Sequence, residues 1–259
     1  MKYLKVQKEK NVLRVQLARP EKHNAFTSEM IQEVTEVFQG AKADGNLRVV
    51  VLSGEGKSFC AGADIEWMRA SVQYDLEKNK NDASRLFSMF ESVALCPVPV
   101  LARVHGSVMG GGLGLVAAAD IVAAETETKF SFSEARLGII PAVISPFVLR
   151  KSGMSGAMET MLTAEVFGVA KAKELNLIHF FGENDEAADF VQSRVDYILA
   201  NGPGAVRQIK KLINEIGGRS LESVRPEVVD AIARKRVDPE GQEGLRAFLE
   251  KRTPTWKGE

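Results

Sequence analysis

The stretch SVMGGGLGLVAAADIVAAE, residues 107–125, places Gly110, Gly111, Gly112 and Gly114 at the mouth of a helix-compatible run. Amides at a helix N-terminus have no intrahelical acceptor, and without side chains they approach a ligand oxygen closely. Three uses fit the pattern. Glycines between a buried strand and a helix permit a tight turn and close packing. Gly112, Gly114 and Ala117 also satisfy the dinucleotide-binding spacing G-x-G-x-x-A, with Glu134 further along. That fingerprint wants its acidic residue at the end of the next strand, which closes near Glu125, and it usually lies close to the N-terminus. The third use is an oxyanion hole, in which a substrate oxygen accepts from exposed amides.

Two converging donors serve an oxyanion better than one. FCAGADI, residues 59–65, offers a second turn of small residues, Ala61, Gly62 and Ala63, between a buried strand and a short helix. Asp64 falls in the first turn of that helix, where a carboxylate suits the dipole and an N-cap role outweighs catalysis. Cys60 lacks the His or Asn spacing of a nucleophile and reads as a buried small hydrophobe. His105, at a strand end, reads as structural. Trp67 and Met68 are core residues more readily than pocket residues.

The elements that must position these residues alternate in the first half of the chain. Residues 2–8 and 11–18 read as a strand hairpin. Helical spacing runs from Ser28 to Ala43, and RVVVLSG (48–54) is a β-branched buried strand. Helices are expected at 64–70 and 75–95, strands at 97–106 and 120–125, and a short strand or turn at 129–135. From about residue 144 the pattern is helical, with Val206, Ile209, Leu212, Ile213 and Ile216 on one face. Alternation followed by helices predicts an α/β core with a helical extension.

Composition limits the function. The 259 residues carry 34 Lys plus Arg and 34 Asp plus Glu, so there is no basic surplus for nucleic acid. Cys60 and Cys96 share no metal or disulfide spacing with the three histidines, which suits a reducing compartment. No metal site is expected. The charged N-terminal segment lacks a signal-peptide core, and Arg103 or Asp120 interrupts the most apolar runs, so no membrane span is expected. A cytoplasmic protein is the expectation.

Five ordered segments resemble the enoyl-CoA hydratase/isomerase (crotonase) superfamily over nearly the whole chain: LARPEKHNAF, GEGKSFCAGADI, VHGSVMGGGLGLVAAADIVAA, FSFSEARLGIIP and GLRAFLEKRTPTWKG. The resemblance implies an α/β fold with a ββα spiral core over 1–197 and a helical trimerisation and CoA-capping region over 198–259. It implies that a coenzyme A thioester places its carbonyl oxygen between the N–H groups of Ala63 and Gly111, with Glu134 as general acid–base. Read alone, Glu134 is an ordinary surface or helix-start glutamate. The family's hydratases use a second glutamate two residues past the glycine triplet, and here that position is Gly114. The same resemblance assigns substrate contacts to Lys22, Ala25, Lys57, Ala61, Asp64, Ile65, Gly110, Phe248 and Lys251, and implies no cofactor beyond the CoA of the substrate.

One retained glutamate suits a Δ3,Δ2-enoyl-CoA isomerase. It also suits a hydratase subgroup, because SEARLGIIPAVISPFVL resembles the corresponding run of 3-methylglutaconyl-CoA hydratases and related acyclic-terpene hydratases. The hydratase is favoured on that run, with Gly114 expected to leave room for a branch or for water and Arg69 or Arg136 to face a distal carboxylate. A non-catalytic CoA-binding or scaffold protein is the third possibility. A homotrimer or dimer of trimers is implied.

Overall fold

The structure is a computed structural model and describes residues 1–257; residues 258 and 259, the end of the expected C-terminal region, lie outside the described residues. The hairpin forms as the alternation predicts. β1 (Leu4–Glu9) pairs antiparallel with β2 (Val12–Leu17), and β2 then runs parallel to β3 (Val49–Gly54). β3 carries the run VVVLSG, buried at all but one residue, as a parallel strand covered on both faces must be. β4 (Val100–Val104), β6 (Ile121–Glu125) and β8 (Phe180–Gly182) complete a six-stranded sheet in the order β1-β2-β3-β4-β6-β8. A separate parallel pair joins β5 (Ser107–Met109) to β7 (Lys129–Ser131).

The helical elements cover this sheet. α1 (Ser28–Ala43) starts at the Thr27 side-chain cap and buries Met30, Ile31, Val34, Val37, Phe38 and Ala41. α2 (Ile65–Ser71) and α3 (Leu76–Ala94) follow β3, and α4 (Gly111–Ala118) follows β5. α4 is buried almost throughout, so its packing admits no polar face. α5 (Ser145–Thr163) is interrupted at Gly153, where φ is +66°. α6 (Val169–Glu174) leads into β8, and α7 (Asn184–Ala200) returns across β6 and β8. α8 (Pro203–Ile216), α9 (Leu221–Val237) and α10 (Pro239–Leu249) end the chain.

The α/β architecture matches the expectation, with three refinements. The expected strand over 97–106 stops at Val104, and Ser107–Met109 is a strand of its own in the second sheet. β8 is too short, at three residues, to leave a period in a sequence dominated by helical spacing. The apolar face expected on α8 is left partly uncovered: Ile209 and Ile213 are exposed, and the one buried residue of the helix is Lys210. Among the described residues, no helix is long and apolar enough to cross a membrane.

Lys210 explains how α8 is held. Its ammonium donates to the Asp120 carboxylate at 2.6 Å and to the Val98 carbonyl at 3.1 Å, while the same carboxylate oxygen accepts the Val100 amide at 2.7 Å. One aspartate at the end of α4 thus joins β4 to the C-terminal helices. Lys210→Met should lower stability by about 1–3 kcal/mol, less than the ~3–5 kcal/mol of a fully buried broken pair. The discount follows from the Asp120 side chain, which keeps 31% exposure. Denaturant unfolding measures the loss.

Candidate active site

The two small-residue turns meet. Met109 N–H donates to the Cys60 carbonyl at 3.0 Å, and Cys60 N–H donates to Ser107 O at 3.2 Å. Gly62 adopts φ +96°, and a Cβ there would stand 3.1 Å from Met109 O. A Cβ on Gly112 would lie 2.5 Å from Cys60 O. Both contacts are backbone against backbone, so neither yields by a rotamer change. The glycines are therefore required by the crossing of the turns. Gly112 and Gly114 face protein atoms, which leaves no pyrophosphate cradle and removes the dinucleotide reading.

Around this crossing lies a cavity of about 340 Å³. Ala61, Gly62, Ala63, Gly110, Gly111 and Glu134 share its wall, and α2 and α3 add Trp67, Met68, Asn79, Asp82 and Leu86. Neither the Ala63 N–H nor the Gly111 N–H donates to an acceptor among the described residues. Two unused amides thus border one cavity. An anionic or strongly polarised oxygen is the chemistry they fit.

Glu134 opens a 3-10 turn, Glu134–Leu137, directly after β7. Its carboxylate rests beside Gly110, where a Cβ would stand 3.2 Å from Oε1. Gly110 has φ +47°, so glycine is needed there for conformation as well as for space. Oε2 is buried and has no hydrogen-bond partner. Burial pushes the Glu134 carboxyl above its ordinary value of 4.5, opposed only by its own backbone amide.

Several sequence expectations change. Asp64 does not line the cavity. It is the N-cap of α2, with Oδ1 accepting from Glu66 and Trp67, while Oδ2 takes the Arg19 guanidinium at 2.7 Å. Ile65 is exposed to solvent. Lys22 and Lys57 are exposed on neighbouring turns, and the Ala25 carbonyl is occupied by Arg19. Phe248 and Lys251 sit at the end of α10 and form no part of the cavity wall in this chain. Arg69 and Arg136 are exposed and line no part of the cavity either, so neither faces an acyl carboxylate within it. Cys60 is the inert hydrophobe expected, its thiol pushed up to about 12 by burial. His105 hydrogen-bonds Gly56 O at 2.8 Å, which is structural.

Gly114 is the main correction. It offers no room for a branch or for water. A Cβ there would stand 2.6 Å from both Ile144 Cγ2 and Phe90 Cζ. Hydrocarbon fills the place a side chain would occupy, and Ile144 continues that surface into the cavity wall.

Residues that sequence reasoning missed include Phe26, whose ring lies 3.0 Å from a Cβ built on Gly111, and the Trp67–Asp82 pair, indole N–H to carboxylate at 3.0 Å. A separation of fifteen residues across two helices leaves no periodic signal.

Gly114→Ala should cost about 1–3 kcal/mol by overpacking. Phe90→Leu in the same chain should recover part of that. Gly114→Glu should cost more, because it also buries an unpaired charge. Denaturant midpoints measure all three. Glu134→Gln should raise the melting temperature at neutral pH. The raised carboxyl penalises the folded state above its own folded pKa. The gain should shrink as pH falls through the raised folded value and vanish below 4.5, where the glutamic acid is neutral folded and unfolded.

A sequence profile described as enoyl-CoA hydratase/isomerase matches residues 7–259. The enoyl-CoA isomerase/hydratase fer4 of Mycosarcoma maydis is 32% identical over 254 residues, covering 93% of this chain and 91% of the relative. An enoyl-CoA hydratase from Shewanella pealeana has the same fold at TM-score 0.94 and 39% identity, covering 98% of this chain and 96% of that one. Pseudomonas aeruginosa AtuE superposes at TM-score 0.95 and 31% identity, covering 98% and 99%. With the profile spanning the chain and the fold shared throughout, this protein belongs to the enoyl-CoA hydratase/isomerase family of the crotonase superfamily.

Proposed function

We propose that the chain hydrates 2-enoyl-CoA thioesters using Glu134 as its one acid–base group and the Ala63 and Gly111 amides as an oxyanion hole. The observation that carries this reading is the buried, unpartnered Glu134 Oε2 beside a cavity whose wall holds two unused amides. The thioester oxygen accepts from both amides. Glu134 takes a proton from water as the water oxygen bonds to the β-carbon. The π electrons move toward the α-carbon, and the enolate charge collects on the thioester oxygen. Protonated Glu134 then delivers its proton to the α-carbon, and dehydration is the reverse. Donors of this kind contribute about 2.7–4 kcal/mol each to the barrier. No cofactor is needed beyond the CoA of the substrate.

The run Ser133–Val148 supports 3-methylglutaconyl-CoA or a similar branched, carboxylated thioester as substrate. The mostly apolar wall suits the methyl branch. The described wall offers a distal carboxylate no cation, and its Ser71 hydroxyl and Asn79 amide donate to the Met68, Tyr74 and Asp75 carbonyls. A second reading, the Δ3,Δ2-enoyl-CoA isomerase, has one observation in its favour: Phe90 and Ile144 fill the space at Gly114, so no second carboxylate stands there. We also infer a cytoplasmic homotrimer or dimer of trimers, with 198–259 as its assembly and CoA-capping region. Exposed Ile209, Ile213, Val229 and Ile232 on α8 and α9 support that assembly.

Wild type should hydrate 3-methylglutaconyl-CoA faster than crotonyl-CoA, followed by loss of thioester enone absorbance and mass analysis of the product. Glu134→Gln should lose about 10²–10⁴-fold in kcat, the usual contribution of a positioned acid–base group. The acid limb of kcat/KM should lie above the ordinary glutamate value of 4.5, because the carboxylate form takes the water proton. Isomerised 3-enoyl-CoA without hydrated product would select the second reading. Full activity in Glu134→Gln would defeat both.

A further inference from the structure

We propose that the Arg19–Asp64 ion pair is a positioning device for catalysis, setting both oxyanion amides from behind the cavity wall. This rests on the proposed thioester chemistry and extends it to two residues that do not touch the cavity.

The geometry links one guanidinium to both donors. Arg19 Nη1 donates to the Asp64 carboxylate at 2.7 Å and to the Ala25 carbonyl at 3.0 Å. Asp64 directly follows Ala63, the first donor, and Ala25 directly precedes Phe26. Between these anchors the two segments run side by side. Phe26 N–H donates to Gly62 O at 2.7 Å, and Asp64 N–H donates to Phe26 O at 2.9 Å. The Phe26 ring then lies against Gly111, the second donor, where a Cβ would stand 3.0 Å from the ring edge. Displacing Arg19 would therefore release Ala63 through Asp64, and the surface under Gly111 through Phe26.

The pair is built to stay put. The side chains of Arg19 and Asp64 are 12% and 6% exposed. Asp64 Oδ1 is separately engaged by the Glu66 and Trp67 amides at the start of α2. Burial alone would raise the Asp64 carboxyl, but the Arg19 hydrogen bond and the α2 amides outweigh it and hold it below 3.8. The Asp64 carboxylate therefore stays charged where Glu134, raised above 4.5, changes state. Placement of an oxyanion donor is a steep function of distance, because a misplacement of about 1 Å costs ~10²-fold in rate.

The test separates positioning from folding. Asp64→Asn keeps an oxygen for the α2 cap and loses the charge toward Arg19. Arg19→Met removes the charge and the Nη1 donor, and Arg19→Lys keeps the charge on a shorter side chain. In Asp64→Asn and Arg19→Met, kcat for the enoyl thioester should fall by about 10²-fold while KM changes little, as expected for a contact made in the transition state. Arg19→Lys should recover part of kcat. The spectroscopic readout is acetoacetyl-CoA, whose bound enolate absorbs where its keto form does not. At saturation, the enolate fraction should drop in Asp64→Asn and Arg19→Met. If melting temperatures fall but kcat and the enolate fraction per bound ligand hold at wild-type values, the pair is structural and the proposal fails. If Arg19→Met does not fold, Asp64→Asn and Arg19→Lys decide by the same two readouts. A wild-type protein that neither turns over nor binds any CoA thioester would overturn the underlying reading and this proposal with it. Wild-type binding with unaltered variants overturns this proposal alone.

Discussion

The close crossing of two backbones governs this structure. The turn at 59–64 lies on the turn at 107–112 so tightly that Gly112 has Cys60 O where its Cβ would be, and Gly62 has Met109 O. Parallel strands β3 and β4 deliver the two turns to the same end of the sheet. Three hydrogen bonds from backbone N–H groups to carbonyls, Cys60 to Ser107, Met109 to Cys60 and Gly110 to Ser131, then hold the turns in place. Gly62 and Gly112 have no side chain because a Cβ at either would meet the backbone of the other turn. The same shortage of side chains leaves the Ala63 and Gly111 amides uncovered beside the cavity. Packing demand and chemical opportunity have one cause here.

Two carboxylates near the crossing show how surroundings divide one chemistry into two roles. The Asp64 proton is lost more readily, since a guanidinium and two helix-start amides meet the charge. Glu134 keeps some exposure, but Oε2 meets no donor and its proton is held more tightly. A satisfied carboxylate is a fixed charge and serves structure. An unsatisfied one is free to exchange a proton.

How much was legible in sequence follows from range. The α/β alternation, the hairpin and α1 follow from local periodicity and side-chain caps, which are encoded within a few residues. The two turns were legible because Ala, Gly and Asp in that order have few other uses, and Glu134 because it falls at a fixed place in a matching segment. Asp64 was read both as the helix N-cap, which it is, and as a substrate contact, and Gly114 as empty space. Their partners decided otherwise, and those partners lie far off in the chain: Arg19 is 45 residues before Asp64. Phe90 and Ile144 flank Gly114 from two different helical regions. Tertiary contacts of that separation leave no spacing to detect. β8 escaped for the complementary reason, being too short for a period.

The filled space at Gly114 bears on the chemistry more than a missing side chain would. A vacant position would admit water or a substrate branch and leave the number of proton-transfer groups open. A position closed by the Phe90 ring and the Ile144 side chain admits neither. Ile144 carries that hydrocarbon surface on into the cavity wall, while Glu134 borders the cavity beside Gly110. Water needs two or more polar partners to stay in such a site. Near Gly114 it has none from Phe90 or Ile144, so in the proposed mechanism any productive water must be held beside the carboxylate. Uptake and return of the proton then belong to one group, and the water and the proton add from the same side of the substrate double bond.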